Sequence, residues 1–196
     1  MIYTFGDSHA AHSFRNIKEV ITGPMTGITM HRVGRDGMIA KYCIHQNIKP
    51  HDTLIWCFGE IDVRCHIKKQ EDLGREIDEI ISELVEKYIL TIIKNIEKTP
   101  CLMYIMSIVP PIDKDKVIEN KDFPFIGTNQ ERANFTLKIN QLLKKKCAEH
   151  NIKYFDIHSD YVDENGMLKF ELSDKNVHIR DSSLVYEKMK NIGIIK

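Results

Sequence analysis

Short apolar runs alternating with longer amphipathic stretches constrain this chain more than any other feature. The runs Ile2–Phe5, Ile28–Val33, Thr53–Phe58, Leu102–Ser107 and Lys153–Ile157 are rich in Ile, Val, Leu, Phe, Tyr or Trp. Their length and scarcity of polar interruptions suit strands covered on both faces of a parallel sheet. The longest helical stretch is predicted over Glu71–Lys98, where Leu73, Ile77, Ile80, Ile81, Leu84, Tyr88, Ile92 and Ile96 recur at three- and four-residue steps. Such a stripe packs one helix face on a sheet, and Pro100 prevents the helix from running into the next strand. A second helix is expected over Asn129–His150. Shorter ones are expected after Ser8, at Met38–Gln46 and at Ser182–Lys190. Strands that alternate with helices build right-handed βαβ units and a three-layer α/β/α sandwich. With no linker, repeat or low-complexity tract, residues 1–196 read as a single domain.

Composition narrows the function classes. The 28 basic and 28 acidic residues cancel, so a phosphate-tracking nucleic-acid surface is not expected. The densest basic run, Lys144-Lys145-Lys146, falls late in a helix, where cations suit the helix dipole. No run approaches the roughly 20 apolar residues that span a bilayer, and the N-terminus lacks signal-peptide character. The five scattered cysteines read as reduced, mostly buried thiols. The expectation is a cytoplasmic protein without membrane or nucleic-acid partners, of undetermined oligomeric state.

Chemistry concentrates in four places. The first run ends in Gly6-Asp7-Ser8-His9, a tight turn that presents a serine where a helix opens. The second is followed by Gly34-Arg35-Asp36-Gly37, and the third by Gly59-Glu60-Ile61-Asp62-Val63-Arg64. Near the C-terminus stand Asp174 and His178. In a parallel sheet the carboxyl ends of the strands share one rim, where ligands bind. A serine hydroxyl needs a base within hydrogen-bond reach to act as a nucleophile. Histidine has a suitable pKa range, and a carboxylate on its far nitrogen fixes its tautomer.

In this order and placement the four segments resemble the blocks of the SGNH/GDSL hydrolase superfamily, from residue 5 to residue 178. The resemblance implies a flavodoxin-like five-stranded parallel sheet and a serine esterase that needs no cofactor. It implies Ser8 as nucleophile, with its own N–H as an oxyanion donor, His178 as base and Asp174 as the acid that orients it. Gly37, or Gly34 in another register, would be the second-block oxyanion donor. Gly59 opens the third block, in which Ile61 stands where the family has a donating asparagine. Arg64 would then supply the missing donor. Asp174 and His178 are one residue further apart than in the family pattern, which a small bulge would absorb. By the same analogy the substrate is a small-molecule or glycan ester, its acyl group an acetyl on a carbohydrate. A carbohydrate O-acyltransferase and a catalytically disabled glycan-binding module are the alternatives.

Each residue also has a structural reading. Ser8 is a good helix cap, and His178 fits a surface loop. Gly37 fits an ordinary turn, Arg64 an ion pair with Asp62 or Glu60, and Asp62 a brace for its own turn. His9, beside the nucleophile, is assigned to substrate contact. His9 and His12 have a metal-compatible spacing and Cys65-His66 is nearby, but no paired ligand motif accompanies them, so no metal is expected. Trp56 reads as core. The stretch Ile108–Thr128, with Pro110, Pro111, Pro124 and Gly127, overhangs the rim as a lid or as a plain surface excursion.

Overall fold

The computed structural model describes all residues except 25, 44–46, 100 and 196, and the backbone alone at Cys43. The strands are β1 (Ile2–Gly6), β2 (Val20–Ile21), β3 (Thr53–Cys57), β4 (Leu102–Met106) and β5 (Lys153–Phe155). All pair in parallel, in the order β2-β1-β3-β4-β5. That order is the flavodoxin-like doubly wound one, with the sheet order reversing beside β1 and β3. Every residue of β1 and β3 is buried, as expected of central strands covered on both faces.

The helices are α1 (His9–His12), α2 (Met30–Asp36), α3 (Ala40–Cys43), α4 (Glu60–Asp62), α5 (Lys68–Glu71), α6 (Ile77–Lys98), α7 (Asn129–Glu149), α8 (His158–Tyr161) and α9 (Ser183–Asn191). A π-helical turn, Val63–Ile67, joins α4 to α5. One core layer lies between the sheet and α2, α6 and α7. Trp56 is fully buried in it, edge-on to Tyr88 of α6 at 6.2 Å. The other layer packs α1, α8 and α9 on the opposite face through Phe14, Tyr161, Val185 and Met189. The sandwich and four of the five expected strands are as read from the sequence.

The exception changes the site. Ile28–Val33 is not a strand. Thr29 is extended and accepts the Arg32 N–H on its hydroxyl, opening α2. The true second strand is the two-residue edge strand β2, eight residues earlier. Gly37 consequently ends no strand. It is the left-handed C-cap of α2, with φ 61°, a position that favours glycine. Gly34 lies inside α2, where an added Cβ would crowd Lys87 and Tyr88 of α6. The long helix also begins later than the periodicity suggested. Gly74, at φ 90°, breaks the chain before Ile77, and Leu73 is exposed. Pro100 and the end of the stretch Met38–Gln46 lie outside the described residues.

Candidate active site

The β1–α1 turn is tight because it must be. A Cβ on Gly6 would overlap the Cys57 carbonyl and press on Ala10, so only glycine lets the end of β1 pass so close to β3. Asp7 then accepts the His9 N–H on Oδ1 at 2.9 Å and anchors its own N–H to the Cys57 carbonyl at 3.1 Å. Burial pushes its carboxyl up to about 6, against the favourable charge of His9. Ser8 follows at the entrance of α1 and makes no side-chain capping bond to the helix. Its Oγ lies instead 2.8 Å from His178 Nε2, across 170 residues of chain.

His178 is held from its other side. Its Nδ1 lies 2.9 Å from Asp174 Oδ2, while Asp174 Oδ1 accepts the backbone N–H groups of Asn176 and His178. The extra residue between Asp174 and His178 is accommodated by Lys175, whose φ is 65°. The Asp174 N–H closes the loop on the His178 carbonyl at 2.9 Å. Burial, with the charges of His9 and His12, brings His178 down to about 4, although Asp174 pulls the other way. The imidazole is therefore neutral at pH 7 with Nε2 directed at the serine, the state a general base requires. His12, one turn after Ser8 on α1, stacks on His178 with ring centroids 3.8 Å apart and 9° between planes. Only the helical spacing of Ser8 and His12 signalled this neighbour in the sequence.

His9 is 2% exposed and its ring centroid is 5.0 Å from that of His178. Its Nε2 stands 3.7 Å from Glu60, an ion-pair contact beyond hydrogen-bond length. Burial opposes its protonation, but Glu60 and Asp7 outweigh that and raise its pKa. The ring faces the interior beneath the rim.

The third block is built around charge. Gly59 has φ 120°, and any Cβ there would strike Ile108 and Met30; the residue permits a close approach rather than offering a side chain. Glu60 pairs with Arg64 one turn on, with oxygen–nitrogen separations of 2.8 and 3.0 Å, both side chains under a tenth exposed. Burial works against the Glu60 carboxylate, yet Arg64 and His9 hold it at about 2. Arg64 also donates to the Phe123 carbonyl at 3.1 Å. The guanidinium is thus committed to Glu60 and to the long loop, and the oxyanion-donor expectation for Arg64 gives way to the ion-pair one. Ile61 is buried and offers no donor. Asp62 braces structure, since its carboxylate accepts the N–H groups of Met30 and His31 and caps α2. Burial lifts its pKa to about 7.

The loop that follows β2 lies beside the serine turn. Thr26 donates its hydroxyl to the Gly6 carbonyl at 3.0 Å, which ties this loop to the serine turn. Gly27 comes next, and an added Cβ would press on the Phe123 ring. Phe123 belongs to the stretch after β4, which is fastened over the third block through the Ile126 N–H to the Arg64 carbonyl at 2.8 Å. Phe125 adds its ring to the fastening, with the guanidinium carbons of Arg64 and Arg132 5.5 and 4.8 Å from its centroid. The stretch is therefore fastened to the third block at residues 123–126, while residues 118–122 between β4 and that fastening are exposed. Among the described residues one His/Asp group, His12, Asp174 and His178, has its ligand atoms close enough together for an ion, but these are the residues already engaged with Ser8 and with each other.

This architecture, a serine on the β1 turn facing a histidine–aspartate pair from the last loop, defines the class: the fold is that of the SGNH/GDSL hydrolases. Solved structures share this fold. A putative platelet activating factor from Streptococcus pneumoniae superposes with a TM-score of 0.66 at 15% identity, over 97% of this chain and 82% of that one. An acetyl xylan esterase, AlAXEase, superposes at 0.58 and 12% identity, over 100% and 99% of the two chains. The OSK domain of Drosophila Oskar superposes at 0.59 and 12%, over 96% and 86%. No protein-family model and no curated protein matches the sequence. Among the described residues no helix is long and apolar enough to cross a membrane.

Proposed function

We propose that the chain is a serine esterase that removes small O-acyl groups, acetyl foremost, from a carbohydrate. The observation that carries the reading is the chain of contacts from Ser8 Oγ to His178 Nε2 at 2.8 Å and from His178 Nδ1 to Asp174 at 2.9 Å. Ser8 Oγ attacks the ester carbonyl while its proton passes to His178 Nε2. Asp174 keeps the imidazole oriented and stabilises the imidazolium. The tetrahedral intermediate collapses, His178 returns the proton to the departing alcohol oxygen, and an acyl-serine remains. Water then attacks the acyl carbon under the same base, releasing the carboxylic acid and restoring Ser8.

The Ser8 N–H and, in place of Gly37, the Gly27 N–H are the oxyanion donors in this reading. The Thr26–Gly6 bond supports the second of these. A preorganised donor is worth roughly 3–4 kcal/mol of barrier, so two backbone donors without a third-block asparagine still suffice for an activated or acetyl ester. No cofactor enters the reaction. A reducing compartment suits the buried, unpaired Cys57, Cys65, Cys101 and Cys147.

The test is turnover of p-nitrophenyl acetate together with labelling by a fluorophosphonate probe. The folded wild-type protein is expected to do both and Ser8→Ala neither. A wild-type protein that fails to label, or a Ser8→Ala variant with full turnover, overturns the reading. Failure to label would leave the glycan-binding module, which the buried Ile61 in place of a donor favours. Adding a glycan acceptor and observing acyl transfer instead of hydrolysis would identify an acyltransferase.

A further inference from the structure

Besides Ser8 and Asp174, the base has a third close neighbour in His12. His12 follows Ser8 by one helical turn, closed by its N–H on the Ser8 carbonyl at 3.0 Å, a spacing at which two residues share one face. Its ring lies flat on that of His178, with centroids 3.8 Å apart and 9° between planes. His178 is thus held at Nε2 by Ser8, at Nδ1 by Asp174 and across a ring face by His12. The Arg15 guanidinium meets His12 at Nδ1. A guanidinium can only donate, so Nδ1 accepts and the neutral ring carries its proton on Nε2. Among the described residues, the charged and titratable groups that face His12 are Arg15, just beyond α1, His9 on α1, and Asp174 and His178 on the C-terminal loop. Burial, Arg15 and His9 lower its pKa, although Asp174 pulls the other way.

We propose that His12 is a positioning residue for the base, whose neutral ring holds the His178 imidazole in line between Ser8 and Asp174 and stabilises the imidazolium formed when His178 takes the serine proton. This role rests on the esterase reading of the preceding subsection. The proton moves from Ser8 Oγ to His178 Nε2 and later to the departing alcohol oxygen, while His12 gains and loses none. Before the transfer two neutral rings are stacked. After it a cation lies on the π face of a neutral ring, an attraction that arises only as the charge develops. Interactions that strengthen on the way to the transition state lower the barrier, whereas those equal in both states do not. A protonated His12 would do the reverse, since two cations 3.8 Å apart repel. Arg15 therefore acts by keeping the ring neutral, because its guanidinium occupies the nitrogen that a second proton would take.

The experiment reads kcat/KM for p-nitrophenyl acetate against pH in the wild-type protein, His12→Leu, His12→Phe, Arg15→Ala and the double variant of the last two. His12 is half-buried and Arg15 exposed, and urea unfolding checks that each variant is folded. His12→Leu fills the space without a π face and is expected to lose about tenfold at pH 7, the factor for one partly desolvated cation–π contact. His12→Phe restores the flat face and should regain most of that loss. In Arg15→Ala the acid limb should move to higher pH, because His12 then protonates more readily and disables the base. The same substitution in the His12→Phe background should move nothing. A His12→Leu protein as active as wild type, or a His12→Phe protein no better than His12→Leu, would overturn the role of the ring. An Arg15→Ala shift of equal size with and without His12 would overturn that of Arg15. Absence of any turnover by the wild-type protein would instead overturn the esterase reading beneath both.

Discussion

His178 faces three charged or titratable neighbours, and their balance sets the pH at which it can act. Asp174 pulls its pKa upward, whereas burial, His9 and His12 press it down to about 4. A base must be neutral to take the serine proton, so kcat/KM should fall with acid near pH 4 rather than near the ordinary histidine value of about 6.5. His9 contributes through position alone, as a buried cation 5.0 Å from the base and 3.7 Å from Glu60. Replacing it by His9→Asn removes that positive charge and should move the acid limb of the kcat/KM profile upward. A limb unmoved in the variant would show that His9 does not act on the base. This is a different role from the substrate contact expected of it: the ring is 2% exposed and lines a small cavity with Asp7, Cys57 and Glu60.

The segment from Gly59 to the π turn joins the candidate site to the long loop, and its buried ion pair is where it is most vulnerable. Removing one member of a buried pair leaves an uncompensated charge and typically costs about 3–5 kcal/mol. Glu60→Gln should accordingly lower stability to denaturant by that order. Adding Arg64→Met to it should recover most of the loss, as measured by urea unfolding. A single variant as stable as wild type would mean that Arg64 finds another partner. The same segment explains what was legible in the sequence and what was not. Strands β1, β3 and β4 carry nearly continuous apolar runs and β5 the pair Tyr154-Phe155, so composition alone revealed them. Ile28–Val33 has the same composition but becomes helical because Asp62, over 30 residues away, caps Met30 and His31. No local pattern encodes that carboxylate. The real edge strand β2 is two residues long, too short for any periodicity, and with it went the register of the second glycine. Ser8, Asp174 and His178 were legible because each lies in a short motif. The commitment of Arg64 to Glu60 was open as one of two readings, and only packing decided it.

Ser8 and His178 come from opposite ends of the chain, yet the same core layer supports both. Ile2, Ala10 and Phe14 from the N-terminal unit share that layer with Val177, Ile179, Val185, Met189 and Ile195 from the last forty residues. The separation of nucleophile and base is therefore set by the packing of α1 against the C-terminal loop and α9. A shared core also means that neither half can loosen alone without exposing apolar surface of the other. Met189, fully buried on α9, touches none of the reacting groups and so separates packing from chemistry. Met189→Ala should cost about 2–5 kcal/mol through lost contacts and the cavity left behind. In the variant, as in the wild-type protein, esterase activity and far-UV circular dichroism should disappear together along a urea titration, at a lower urea concentration for the variant. If activity vanished well before the dichroism, the C-terminal layer would open as a separate unit, and the positioning of His178 would depend on α9 alone rather than on the whole fold.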